Sequence, residues 1–422
     1  MDGQRFIGKV LLLVTIAMSA VAAAQTYSTL YSFTVSDAFW PQGGFVEDAS
    51  GNLYGTTKGG GTYGVGTVYE LSPPAQGGTT WTKTTLYSFQ SYGTTGEIPS
   101  SDLTIDSTGA LYGTTYVGGD ARCVCGVLYK LVPPTQKGSA WTEQVLHAFT
   151  SGSDGRLPNA TVVINSQGTI YGVTQQGGAY DSGVIYQIRP GTGGTFAETI
   201  LYSFGDNGDA STPNGPLLFD STGALYGVTS LGGAFNQGAV YKFVPPAKAG
   251  QQGTETILFS FGGGSLSSGV TPIGNLIFDS AGNLYGVTNG GGGSLGFGVV
   301  YELTPATGSW TENVLFSFNG TDGRYPEAGL TLNPTNGSIY GTNSAGNPLK
   351  GGSGIVFQLT PPAVKGQPWT ESTLLQFTFF GNGGLPAGRI LLDSNGNLFG
   401  TTLNGGLYGC DGYCGVAYEI TF

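Results

Sequence analysis

The sequence predicts an all-β protein, a seven-bladed β-propeller with four antiparallel strands per blade, its last blade closed by the N-terminal strand. Three observations predict it. A strand–turn–strand unit, clearest in Gly274–Thr288 (GNLIFDSAGNLYGVT), recurs seven times. Its central glycines, at 55, 113, 172, 227, 286, 341 and 400, lie 55 to 59 residues apart, which is the period of a repeat architecture. Finally, the chain ends just after the third strand of repeat seven, while Thr26–Phe33 (TYSTLYSF) reads as the missing fourth. An open solenoid is the structural alternative, but it calls for polar capping repeats that the sequence lacks.

Each element has its own signal. In the first strand Leu276 and Phe278 alternate at period two. Asp279–Asn283 then supplies turn chemistry, an Asx side chain for the backbone ahead and a glycine for positive φ. The return strand, Leu284–Thr288, is rich in β-branched and aromatic residues. A proline stands 13 residues before the motif aromatic in six copies and 14 in the sixth, where Asn333–Gly337 lengthens the turn. A Gly-rich loop leads to a third strand of the type Val68–Leu71. A Pro-containing linker leads to a fourth, often opened by Trp (81, 141, 310, 369) and closed by Leu-aromatic-Ser-Phe. Four strands, seven times, is the pattern of a propeller.

Met1–Ala24 is a separate object. Arg5 and Lys9 precede the apolar run Val10–Ala24, which ends in a small-residue site, as in a secretory signal peptide; an uncleaved anchor is the alternative. Residues 25–422 form the single predicted domain, expected to be exported to the extracellular space, cell surface or periplasm. The mature net charge is −12. Such an acidic chain disfavours nucleic acid and anionic membranes as partners. Membrane insertion after cleavage is not expected, and a monomer is. In an exported protein the pairs Cys123/Cys125 and Cys410/Cys414 are expected as small loop disulfides, the first strained or absent because its loop is so tight; zinc is the alternative.

The recurrent D-S-x-G-N-L-Y-G-T-T, then GG, then G-V-V-Y-E-L, then L-Y-S-F, resembles the GloVer tandem repeat of exported bacterial choice-of-anchor proteins. The resemblance covers Thr26–Phe422 and implies an exported or surface protein with no assigned activity. No sorting segment follows the last repeat, so release or periplasmic residence is the expectation.

No catalytic constellation stands out, and neither a cofactor nor a metal is expected. The one histidine, His147, occupies a position held by Tyr or Phe in most repeats and reads as a stand-in aromatic, which excludes a multi-histidine site. Asp48, Asp106, Asp220, Asp279 and Asp393, with Asn165 and Asn333, are turn residues. Glu143, Glu198, Glu255, Glu312 and Glu371 lie on the outer strands and are expected to blunt exposed edges with charge. The loop carboxylates are scattered over different blades without the spacing of metal ligands. Three positions break the repeat: Glu47 replaces an apolar residue before the first turn, and Asp102 and Arg389 read first as an incidental ion pair or solvated charges, with a polar anchor for a channel ligand, the two facing each other across the mouth, as the alternative. The Gly-rich loops carry Tyr63, Tyr180, Phe235 and Tyr408, which read first as rings packed on the neighbouring blade and otherwise as candidate aromatics for stacking on a sugar or holding a protein. The leading expectation is therefore non-catalytic recognition of a glycan or protein by this loop face. A polysaccharide hydrolase or lyase and a purely structural module are the alternatives.

Overall fold

The structure, a computed structural model, describes residues 25–422 except 92–94, 120–122, 137, 207, 249–250, 264–267, 348–350, 380 and 407–412. The expected signal peptide, Tyr408 and Cys410 thus lie outside the described residues. Seven antiparallel sheets form a ring, a seven-bladed propeller, and the described residues contain no α-helix, only one 3-10 turn at Thr192–Gly194. Blade 2 shows the plan: Gly96–Pro99 and Thr104–Ile105 make the innermost strand, followed outward by Leu111–Gly118, Val127–Val132 and Thr142–Ala148. Blade 7 runs outward through Leu398–Asn404 and Val416–Thr421 to Thr26–Ser32, paired from Thr26↔Thr421 to Ser32↔Val416. The N-terminal strand closes the ring, as the sequence predicts.

The recurring residues are explained by how blades meet. In each blade the motif glycine pairs with the aromatic of the third strand, as in Gly55↔Tyr69 and Gly286↔Tyr301. That ring lies flat over the glycine: a Cβ on Gly286 would stand 2.3 Å from Tyr301 Oη. Only glycine admits the ring, so Tyr-Gly in one strand and Val-Tyr in the next are two halves of one contact. The same ring then receives the Phe that ends the previous blade's outer strand, edge to face, with Phe33–Tyr69 at 5.1 Å and Phe261–Tyr301 at 5.0 Å. This contact recurs at all seven interfaces, with Phe357 replacing Tyr in blade 6. On the turn side, Trp81, Trp141 and Trp369 each lie 6.2 Å from the motif aromatic of the preceding blade. The core is accordingly seven clusters, each shared by two neighbouring blades.

A second device was not visible in the sequence. The residue before each repeat proline (Trp40, Ile98, Leu157, Thr212, Thr271, Tyr325 and Leu385) is left-handed, with φ between 55° and 59°. Such a conformation costs a β-branched residue on the order of 1–3 kcal/mol and persists only where the surroundings enforce it. Here each amide donates to a carbonyl in the preceding blade, for example Thr271 N to Gln237 O at 2.9 Å. The following proline seats on that blade's glycine; a Cβ on Gly238 would stand 2.4 Å from Pro272 Cδ. Trp40 N to Cys414 O, with Pro41 against Gly415, completes the set across the closure.

Candidate functional site

The antiparallel order places the Asx turns and Pro linkers at one end of the ring. The Gly-rich loops and the connections between blades lie at the other. Each turn Asp is a structural hub: Asp220 Oδ1 accepts from Thr222 N, Thr222 Oγ1 and Ala224 N, and Oδ2 from Tyr226 Oη. Burial opposes ionisation there, but those bonds and Lys242 outweigh it and hold the carboxyl at about 2. The turn assignments therefore stand, and this end offers no free acid at those positions.

The centre of the ring holds a polar cavity of about 340 Å³, to which every blade contributes. It lies in the loop-side half of the channel, because Gln42 and Lys58 flank the paired residues Pro41 and Thr57 at the loop-side end of their strands. Gln42, Asn159, Gln175 and Asn214 give its wall amides, and Tyr116 a phenol. Lys58 and Arg389 bring positive charge, Asp102 and Glu327 negative. Burial lowers the Lys58 pKa, and its ammonium has no carboxylate partner among the described residues. Burial raises the Glu327 carboxyl against an opposing hydrogen bond from Ser344.

Asp102 and Arg389 meet, but not across the mouth. Blades 2 and 7 both flank blade 1, so Arg389 Nε approaches Asp102 Oδ2 to 3.6 Å along the inner strand of blade 1, whose Gly44 N donates to Asp102 Oδ1 at 2.6 Å. This corrects the expected placement: three inner strands are tied at the ring closure. The approach is close enough that a Cβ on Gly44 would stand 2.4 Å from Arg389 O. The guanidinium side chain remains 39% exposed and faces the cavity.

The other candidates lie elsewhere. Tyr63, Tyr180 and Phe235 are each about half exposed on the Gly-rich loops. The Phe235 ring lies over Gly263 and the Tyr180 Cβ beside Gly205, each at the exit of its own blade's outer strand. They stand at the rim and do not line the cavity. Glu47 is at the opposite, turn-bearing end, its carboxyl raised by burial and by the nearby charges of Asp393 and Asp48. Cys123 and Cys125 are joined in a disulfide with Cα atoms 5.4 Å apart, so the tight loop does not prevent the bridge. Cys414 is also disulfide-bonded.

The outer-strand glutamates turn inward, not outward. Strand twist directs them into the grooves between blades, where Glu143 Oε2 accepts from Tyr87 Oη at 2.8 Å and Glu312 Oε2 from Ser268 Oγ at 2.7 Å. Burial, aided by Asp154 and Asp209 respectively, pushes Glu198 and Glu255 up to about 8. His147 does hold the aromatic position, 4.6 Å edge to face from Phe149, yet it also faces Asp154 and Glu198. Sequence reasoning missed this meeting; aligning the seven repeats position by position carries its signal.

Comparison with solved structures returns distant matches. A gluconolactonase from Xanthomonas campestris is 15% identical with TM-score 0.42, over 83% of this chain and 94% of that one. The extracellular domain of a one-component system from B. thetaiotaomicron is 11% identical with TM-score 0.50. That match covers 93% of this chain and 39% of the other. At such identity the second likeness shows the fold alone, and the first, at its lower TM-score, carries no argument. Comparison with curated proteins returns no match. No helix among the described residues is long and apolar enough to cross a membrane. A family model for the Gloeobacter/Verrucomicrobia repeat matches residues 16–162, 82–277, 124–353 and 248–422, which together span nearly the whole chain. The chain belongs to the Gloeobacter/Verrucomicrobia repeat family.

Proposed function

We propose that this protein is an exported recognition module that binds a polar, hydroxyl-rich ligand, a glycan segment, in the channel cavity of its loop face without cleaving it. The observation that carries the reading is the cavity itself. Its volume falls in the range of small-ligand sites. Amides, a phenol and charges of both signs converge in it, the donor and acceptor mixture that sugar hydroxyls satisfy. Exposed Tyr63, Tyr180 and Phe235 on the same face give a longer chain apolar surfaces to lie on.

The loop acids favour binding over hydrolysis as the reading. Asp37 is engaged by Lys83 and Tyr31, Asp181 by Arg156, Asp209 by Tyr202 and Asp322 by Asn319. Among the described residues two carboxylates reach the cavity, Glu327 from the strand Arg324–Leu332 and Asp102, and Asp102 is engaged by Arg389 and Gly44 N. The test is incubation of the mature protein with a polysaccharide panel, scoring retention and soluble product together, for wild type and Lys58→Ala/Arg389→Ala. Retention without product, lost in the variant, is the expected result. Soluble product, or retention that the variant leaves unchanged, overturns the proposal.

A further inference from the structure

The same groove position can be compared at all seven interfaces. It gathers one residue from the end of an outer strand, one from the connection that follows, and one from the next blade's outer strand. Between blades 7 and 1 these are Tyr31, Asp37 and Lys83, where the lysine neutralises the acid. Between blades 3 and 4 they are Tyr202, Asp209 and Glu255, where the phenol donates to the aspartate. Between blades 2 and 3 they are His147, Asp154 and Glu198, and here no lysine and no phenol completes the set.

In that groove His147 Nε2 stands 3.4 Å from Asp154 Oδ2 and 3.3 Å from Glu198 Oε1. The three donor atoms all lie within 4.8 Å of one another. Nε2 and Oε1 are both buried with no hydrogen-bond partner. Separations of this size are long for hydrogen bonds, whose usual donor–acceptor distance is about 2.9 Å. They match the edge of a tetrahedron of ligands about 2.0–2.1 Å from a central ion, which is roughly 3.3–3.4 Å. Asp154 is held in place by its own shell, with Thr150 N donating to Oδ2 at 2.9 Å and Thr150 Oγ1 to Oδ1 at 2.8 Å.

We propose that His147, Asp154 and Glu198 form a binding site for a divalent transition-metal ion of the zinc class, clasping blade 2 to blade 3. One imidazole and two carboxylates are a donor set that such ions take, and three protein ligands leave a further position for water or a ligand group.

The experiment is calorimetric titration of chelator-stripped mature protein with Zn²⁺, repeated on His147→Tyr, Glu198→Gln and Glu255→Gln. Tyrosine is what three other interfaces carry at this position, at Tyr31, Tyr87 and Tyr202, so the first variant suits the fold. One equivalent of Zn²⁺ should bind wild type and Glu255→Gln alike, with affinity falling by at least about 100-fold in the other two. Absence of a saturable site in wild type, or affinity unchanged in His147→Tyr, overturns the proposal. If His147→Tyr does not fold, anomalous scattering from Zn²⁺-soaked wild-type crystals decides. A peak among the three side chains supports the site, and peaks only elsewhere refute it.

Discussion

Gly286→Ala tests the packing rule on which every blade depends. Gly286 has ordinary strand φ, so the substitution adds no backbone strain; what it adds is a methyl carbon 2.3 Å from Tyr301 Oη and 2.6 Å from Cζ. Tyr301 is fully buried and pinned on its other side by Phe261, so the ring has nowhere to move. Overpacking of this kind costs about 1–3 kcal/mol. With an unfolding entropy of about 2.1 cal/mol/K per residue over roughly 400 residues, each kcal/mol lowers the melting temperature by about 1 °C. A fall of about 1–4 °C by scanning calorimetry is expected, with Gly152→Ala, whose Cβ meets only ordinary contacts, as the unperturbed control. Adding Tyr301→Phe should not restore stability, because the Cζ contact remains. A Gly286→Ala protein as stable as wild type, or full rescue by Tyr301→Phe, would refute the reasoning.

Other outcomes follow from the same structure. Tyr69→Phe removes a buried hydroxyl without a partner, and blade 6 already carries Phe at this place. Its melting temperature should equal or exceed wild type, and a clear fall would show that the hydroxyl has a partner after all. Deleting Gln25–Phe33 strips the outer strand of blade 7 and the Phe33–Tyr69 contact; a strong loss of thermal stability is expected, and an unchanged melting curve would contradict ring closure. Glu198 and Glu255, held up to about 8, bind protons more tightly folded than unfolded. Their contribution is complete below the unfolded carboxyl pKa of about 4.3 and is lost as pH rises through about 8. With chelator present, the melting temperature should therefore fall between pH 5 and 9, and Glu198→Gln/Glu255→Gln should flatten that fall.

Much of the fold was legible because its rules are local. Period-two patterning, Asx turn chemistry and a constant proline spacing each repeat seven times, and the unpaired N-terminal strand has one place to go. The left-handed residues before the prolines were not legible. Trp40, Ile98 and Thr271 share no side-chain chemistry, and the conformation is set by a carbonyl of the neighbouring blade. The outer-strand glutamates misled for a related reason: position on an edge strand does not say which side of a twisted blade a side chain leaves from. Asp102 and Arg389 were found as departures from the repeat, but their meeting depends on blade 1 lying between them. His147 was read as a stand-in aromatic, which it is, and that reading hid its second face. Asp154 and Glu198 reach it only because blades 2 and 3 are packed side by side.

In the proposed function the channel, rather than the rim, anchors the ligand. The most direct measurement compares Lys58→Ala/Arg389→Ala with Tyr63→Ala/Tyr180→Ala/Phe235→Ala for affinity toward a polysaccharide that wild type retains. Losing charge-assisted hydrogen bonds worth about 1.5–3 kcal/mol each predicts a fall of at least about tenfold for the channel variant, with a smaller change for the rim variant. The reverse order, rim loss with the channel variant intact, would contradict it.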